Sequence, residues 1–358
     1  MTIPILTIAI PTYNRAHSLI FTLPRLAEDL SGFNAKVKIL IIDNFSSDET
    51  KEVVADWISE FGSNLSIKYI RNEVNIGMAR NIVSCFYTAD TDYVTFMGDD
   101  DCLNKGSLSK LFEILEGPLV SAVIGAKRSA NYPKHRTGLL KYEDAVNWFY
   151  IYGNGSEGIV NREAAISGIE KRGLRAEIES LVWPQTVMGF LAIYDLIPVK
   201  AYALDLTITD SFSDYQSVTN KSYWVNSLYG LLRAAVIVDE VTGKNMICTS
   251  LLNNKGSGFY GHIKGILWYG LIADYEASTL ELRKLLKAKF GIRGFFFAFV
   301  IKLSDNKPLL EYLASILYFL IKRKRKNFFD TRLSEIRQEY LHDVERTKKN
   351  KKRYGDWY

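Results

Sequence analysis

Short apolar runs alternate with helix-like stretches over the first 125 residues, and that alternation leaves few folds open. Residues 5–10, 37–42, 67–70 and 93–96 are β-rich and of strand length. The apolar run 5–10 is short enough for a parallel strand buried on both faces, and 37–42 is likewise apolar. Helix-like stretches run to about Leu30, from a capping box of Ser46 and Glu49 through Phe61, and from about Met78 to Tyr87. A helix over 106–115 and a fifth strand over 119–125 continue the pattern. Connections this short predict parallel βαβ units, hence an α/β fold: a mostly parallel open sheet with helices on both faces.

The residues that end these strands are polar. Thr12, Tyr13, Asn14 and Arg15 follow the first, Asp43 and Asn44 the second, Asn75, Gly77 and Arg80 the third, and Asp99, Asp100 and Asp101 the fourth. Ligands of open α/β sheets lie beyond the carboxyl ends of the strands, so the four clusters should converge on one crevice. Three adjacent carboxylates repel one another, and an apolar setting raises the cost of ionising them. A fold tolerates the triplet where water or a cation meets it. Hard oxygen ligands suit Mg²⁺ or Mn²⁺ carrying a diphosphate; a solvated acidic turn before the next helix is the plainer alternative.

Further on, residues 127–158 are irregular and rich in Gly, Tyr and Asn, which reads as a loop-rich insertion with a short helix over 143–150. Residues 158–162 read as a strand entering a helix, Trp183-Pro184 as a helix start, and 199–206 as a strand. This places a first domain over 1–245 and a helical region over 246–358. Residues 294–301 and 309–321 are apolar nearly all round, yet each is too short to cross a bilayer, and the second enters Lys322-Arg323-Lys324-Arg325-Lys326. The net charge of +5 is a property of this end: residues 322–358 hold thirteen Lys and Arg against six Asp and Glu. An apolar helix beside a polybasic cluster suits an anionic membrane surface; a buried helical subdomain with a solvated basic end is the alternative. Nothing here resembles a general nucleic-acid footprint. Leu333, Ile336, Tyr340, Leu341 and Val344 share one face of a further helix, which could pack on the body of the protein or, in a homo-oligomer, on a second subunit. Three scattered cysteines without a CxxC fit a reducing compartment, and the N-terminal stretch is expected to carry no signal peptide.

Ile8-Ala9-Ile10-Pro11-Thr12-Tyr13-Asn14-Arg15, Ile41 to Asp48, Asn75-Ile76-Gly77-Met78-Ala79-Arg80-Asn81 and Phe96-Met97-Gly98-Asp99-Asp100-Asp101, in this order and spacing, resemble family-two glycosyltransferases of the GT-A fold. The Gly-Asp-Asp-Asp form is similar to the abequosyltransferase-like branch, whose members build bacterial O-antigen. The resemblance implies a hexosyl or deoxyhexosyl transfer from a nucleotide-diphosphate sugar to a hydroxyl of a lipid-linked saccharide, at the cytoplasmic face of the membrane, with Mn²⁺ or Mg²⁺. It implies that Pro11, Thr12 and Tyr13, with Asn14, wrap the nucleoside and that Arg15 faces phosphate. Asp43 would accept a hydrogen bond from a uracil, thymine or cytosine edge. Gly77, with Asn75, would let the backbone approach the ligand, and Arg80 would offer a cation. Asp99 and Asp100 would contact the nucleotide sugar, and Asp99 and Asp101 would hold the metal in the DXD manner. Gly98 stands where many relatives are acidic, which leaves open which two aspartates form the metal pair.

A second departure concerns the base. Inverting relatives place a Glu-Asp pair before a later helix, where this chain reads Trp183-Pro184-Gln185, and an amide cannot take a proton. Glu177 and Glu179, just upstream, are the substitutes; a retaining reaction would need no base there. Two other functions remain in view. A sugar-phosphate nucleotidyltransferase would need a Gly-rich loop after the first strand, and residues 11–15 contain no glycine. A non-catalytic, membrane-surface nucleotide-binding module would explain the missing Glu-Asp pair.

Overall fold

The computed structural model describes residues 4–125, 138–141, 156–196, 200–204, 208–211, 221–244, 246–253, 278–306 and 308–310, with isolated positions between 259 and 338. Two compact units emerge, Met1–Tyr215 and Gln216–Tyr358. The sequence had placed its boundary later, at 245.

In the first unit β1 (Leu6–Thr12), β2 (Val37–Asp43), β3 (Ser66–Arg71) and β4 (Tyr93–Phe96) follow the expected order and pair in parallel, with β1 between β2 and β4. Helices α1 (Ala16–Asp29), α2 (Thr50–Phe61) and α3 (Met78–Thr88) connect them. The period of two along β1 divides the layers. Leu6, Ile8 and Ile10 join Leu19, Leu23 and Leu26 of α1 and Trp57 of α2 in one buried cluster. Helix α3 packs on β1 and β2 through its own apolar stripe of Ile82, Val83 and Phe86. Each such leucine or isoleucine contributes about 1.5–3 kcal/mol on burial.

Beyond β4 the sheet departs from simple extension. The expected fifth strand exists as β6 (Ala122–Ile124), but it does not pair with β4. Strand β8 (Gly158–Asn161) lies between them, antiparallel to both. Strands β9 (Ala201–Ala203) and β7 (Gly138–Leu140) complete the sheet, in the order β3-β2-β1-β4-β8-β6-β9-β7. It is open and mixed, parallel through its first four members. The last of the first unit's strands, β10 (Thr209–Ser211), instead forms an antiparallel ribbon with β5 (Asp101–Leu103), which begins at the third aspartate. Helix α4 (Lys105–Leu115) follows, capped by the Asn104 side chain, which accepts from the Gly106 N–H. Helices α5 (Arg162–Glu170), α6 (Arg175–Ile178) and α7 (Pro184–Asp195) come next. Pro184 sits in the first turn of α7, as read from the sequence.

The capping box at Ser46 and Glu49 is not formed. Helix α2 starts at Thr50, and Glu49 caps nothing with its side chain. Ser46 bonds Asp43 and the Asn14 N–H instead, because the strand-end loops claim it first.

The second unit is helical where described: α8 (Lys221–Thr242), α9 (Met246–Asn253), α10 (Leu280–Lys289) and α11 (Gly291–Leu303). Asp239 of α8 caps α9 by accepting from the Ile247 and Cys248 N–H groups at 2.8 and 2.9 Å. The helix expected over 143–150, the basic run 322–326 and the stripe from Leu333 to Val344 lie outside the described residues. No described helix is long and apolar enough to cross a membrane.

Candidate active site

The four strand-end clusters interlock. Thr12, at the end of β1, donates 2.8 Å to Asp99 Oδ2 across the β1–β4 pair. Arg15 Nε lies 3.5 Å from Asp99 Oδ1, so the arginine expected to face phosphate pairs with the first aspartate. The left-handed Asn14 (φ 49°) turns its side chain to the second cluster, and its Oδ1 accepts from the Ser47 N–H at 2.6 Å. The Arg15 and Ala16 N–H groups at the start of α1 donate to Thr50 Oγ1 and Asp48 Oδ2.

Asp43, after β2, is fully buried. Its oxygens accept from the Ser46 N–H at 2.8 Å, the Ser46 hydroxyl at 2.5 Å and the Tyr69 hydroxyl at 2.9 Å, and Arg71 Nε stands at 3.4 Å. Burial, then the hydrogen bond to Asp43, pushes the Tyr69 phenol up, so that hydroxyl remains a donor at any physiological pH. Asn44 ties this loop to the third cluster. Its Oδ1 accepts from Asn72 and the Ile76 N–H, and its amide donates 2.9 Å to Asn75 Oδ1. Asn81 completes the lattice, accepting from Asn72 and donating to the Ile42 carbonyl. Asn75 also accepts from Gly77, whose φ of 88° is a conformation side chains resist. Arg80, one turn on, is exposed, with its Nε 3.7 Å from Glu179.

The aspartates divide by environment. Asp99 is buried, and burial raises its carboxyl to about 6 against the opposing pull of Arg15. Asp100 and Asp101 are partly exposed and gather over Gly98. A Cβ at residue 98 would stand 2.8 Å from Asp101 Oδ2 and 2.9 Å from Asp100 Oδ1, so the glycine makes room for two carboxylates to approach. Ser156 holds one of them: its hydroxyl takes the Gly98 N–H at 3.0 Å and makes a short hydrogen bond to Asp101.

Glu157 supports the ribbon that carries Asp101. This buried carboxylate accepts from the Ile208 N–H at 2.7 Å and from the Thr209 N–H and hydroxyl, both at 3.1 Å, pinning β10 against β5. Burial pushes its carboxyl up. Its role, like those of Ser156, Asn72 and Asn81, was missed in the sequence, where only a polar pair before a strand marked Ser156-Glu157. His17, in the first turn of α1, was also missed. Burial and then the Arg15 charge hold it below the ordinary histidine range, against Asp48 and Asp100.

Of the two base candidates, Glu179 meets the site. It accepts from Arg175 Nε at 3.0 Å and reaches Arg80 of the third cluster. Glu177 is half-buried on α6. Gln185 is buried, and neither atom of its amide has a hydrogen-bond partner among the described residues.

Among the described residues, no three His, Cys, Asp or Glu gather to enclose a metal ion. The donors present nonetheless fit a divalent cation of the kind that keeps water and binds through one or two carboxylates plus substrate phosphate. Asp100 and Asp101 are two hard oxygen donors set close together beside solvent.

The site lies at the carboxyl ends of parallel strands, where open α/β sheets take their ligands, and it is centred on acidic side chains. Residues 7–174, a little under half of the chain, match the family described as Glycosyl transferase family 2, and the fold is GT-A-like. The chain is 37% identical over 112 residues to abequosyltransferase RfbV of Salmonella typhimurium, covering 31% of this chain and 33% of that protein. An uncharacterized glycosyltransferase of Haemophilus influenzae is 26% identical over 111 residues, 31% of this chain and 34% of its own. The match thus spans about a third of the length of these curated relatives. In fold, the chain resembles residues 1–349 of S. aureus TarS, with a TM-score of 0.52 and 12% identity over 90% of this chain and 93% of that one. The same protein in complex with UDP-GlcNAc gives 0.51 and 12% over 87% and 91%.

Proposed function

We propose that this chain is a metal-dependent glycosyltransferase that moves a hexosyl or deoxyhexosyl group from a nucleotide-diphosphate sugar to a hydroxyl of a lipid-linked saccharide in bacterial surface polysaccharide synthesis. It works as a peripheral protein on the cytoplasmic face of the membrane. The observation that carries the reading is the welding of four strand-end loops around an acidic centre by Thr12, Asn14, Asn44 and Asn75. The similarity to an abequosyltransferase supports a sugar-transfer role of this kind.

In this reading Pro11, Thr12, Tyr13 and Asn14 line the nucleoside side with Asp43. Asn75, Gly77 and Arg80 close the opposite side, Arg80 offering its charge to phosphate. Asp101, with Asp100 beside it, holds Mn²⁺ or Mg²⁺, since Asp99 is already engaged by Thr12 and Arg15. The ion, when bound, offsets the charge of the departing diphosphate. Asp99 fixes the β1 end and approaches the sugar or ribose. Glu179 takes the acceptor proton, with Glu177 as the second candidate.

Thermal shift of the purified chain against a panel of nucleotide sugars, with and without Mn²⁺, tests the donor side, because a ligand that binds only the folded state raises apparent stability. The expected result is metal-dependent stabilisation by one nucleotide class and slow metal-dependent hydrolysis of its sugar. Stabilisation without any hydrolysis or transfer would favour the non-catalytic nucleotide-binding module, and full turnover by Asp101→Asn would overturn the assignment of the site.

A further inference from the structure

Helix α11 of the second unit is turned the wrong way round for a helix in water. Its buried positions are Gly294, Ala298 and Ile301, while four large apolar side chains face out. Ile292 is 88% exposed, Phe295 56%, Phe296 62% and Phe299 61%. These positions are spaced i, i+3, i+4 and i+7, so they form one continuous stripe. The inward face explains the inversion. A Cβ on Gly294 would stand 2.0 Å from the Leu286 carbonyl oxygen, so only a residue without one lets α11 lie this close to α10. Gly294 faces α10 and Phe297 packs edge-on against Phe259 at 4.9 Å, while Phe295, Phe296 and Phe299 are left outside.

The stripe is flanked by one sign of charge. Residues 280–303 hold six Lys and Arg against a single acid, Glu281. Lys287 of α10 sits 5.8 Å from the centre of the Phe295 ring, and Lys302 is exposed at the far end of α11. Glu281 is paired with Lys284 at 2.8 Å. Exposed contiguous aromatics normally mark a surface that meets something else. Aromatic and aliphatic side chains rimmed by cations complement the boundary between anionic headgroups and acyl chains.

We infer that α11 is a membrane-docking helix, which inserts Ile292, Phe295, Phe296 and Phe299 into the interface of an anionic lipid surface while Lys287 and Lys302 meet its headgroups. The inference rests on the membrane-face setting proposed above and is independent of the transfer chemistry. It assigns membrane contact to a described helix upstream of the apolar and basic run at 309–326. The two contributions separate by salt, because exposed charges are screened while apolar insertion is not.

The test is flotation of the full chain with vesicles of phosphatidylglycerol and phosphatidylcholine, and with phosphatidylcholine alone. Two proteins are compared, the natural chain and Phe295→Ser/Phe296→Ser/Phe299→Ser. Donor hydrolysis and thermal melts serve as controls for site and fold. The expected result is binding of the natural chain to anionic vesicles that persists at about 0.5 M salt, where the Debye length is only roughly 4 Å. The triple variant should lose about tenfold or more of that partition, since three aromatic side chains no longer leave water, with unchanged melting and hydrolysis. Equal flotation of both proteins, or failure of the natural chain to float, would overturn the inference. So would a triple variant that turns a dimer into a monomer without altering flotation, which would assign the stripe to a second copy of the chain. Because hydrolysis is read separately, failure here leaves the enzymatic reading standing, and loss of hydrolysis in the natural chain leaves this one standing.

Discussion

Arg15 and Asp99 form a nearly buried pair, 3.5 Å apart with side chains 15% and 10% exposed, at the point where β1 meets the acidic triplet. Removing one partner of such a pair strands the other's charge, and the penalty exceeds what the pair itself contributes. Arg15→Met should therefore cost about 3 kcal/mol in denaturant unfolding. Adding Asp99→Asn to that background should recover much of the loss, because the stranded charge disappears. The double-mutant cycle reads the coupling directly. If Arg15 served phosphate alone, its removal would weaken nucleotide binding and leave unfolding unchanged.

Ser156 connects the backbone under the triplet to one of its carboxylates, so it should orient Asp101 without touching substrate. Groups that orient a metal ligand commonly matter about tenfold or more for affinity. Ser156→Ala is expected to raise the Mn²⁺ concentration for half-maximal donor hydrolysis about tenfold, with the melting temperature nearly unchanged. Asp101→Asn, by contrast, should abolish hydrolysis at every metal concentration. A metal titration of the three proteins checks both outcomes.

The legible part of this site is the part written in contiguous residues. Strands β1, β2 and β4 fill apolar runs, while β3 is an alternating edge strand without a buried residue. The polar clusters follow the strands in sequence, so the convergence of Thr12, Asp43, Asn75 and Asp99 could be read directly. What could not be read depends on pairing between distant segments. Strand β8 inserts between β4 and β6 because its hydrogen-bonding edges fit both, and four residues carry no record of that order. Strand β5 is three residues long and starts inside the acidic motif, so no periodicity announces it. Glu157 looks solvated in sequence because its partners, the Ile208 and Thr209 N–H groups, arrive from some fifty residues away. Ser46 shows the opposite error: a local capping pattern was present, but Asp43 and Asn14 compete for the hydroxyl.

Asp195, at the end of α7, receives Arg172 in two bonds of 2.8 and 2.7 Å and Lys171 at 2.9 Å. Burial works to raise its carboxyl, but these hydrogen bonds and charges outweigh it and hold the pKa below the usual value. A group with a depressed folded pKa contributes stability above its unfolded pKa and loses it as pH falls through the folded one. Asp195→Asn should thus cost about 2 kcal/mol at pH 7. The gap between variant and natural chain should stay constant from neutral pH down to about 5 and close below about 4. Urea unfolding across that range measures it, and a gap that widens in acid would contradict the assignment.

Gln185 has the converse problem. It lies in the first turn of α7, 3% exposed, with neither amide atom bonded to any described residue. A buried amide left unpaired costs about 1–3 kcal/mol, which an apolar side chain of similar length avoids. Gln185→Met should raise unfolding stability by about 1 kcal/mol or more. Gln185→Glu, which places a carboxyl in the same buried turn, should destabilise at neutral pH. A carboxyl forced into this position would have a raised folded pKa. The folded state would then hold its proton to higher pH than the unfolded chain, and the deficit would shrink as pH falls toward 4. Equal stability of the glutamate variant at pH 7 and pH 4 would show instead that water or a cation reaches this turn, and it would make residue 185 a position open to the acceptor side.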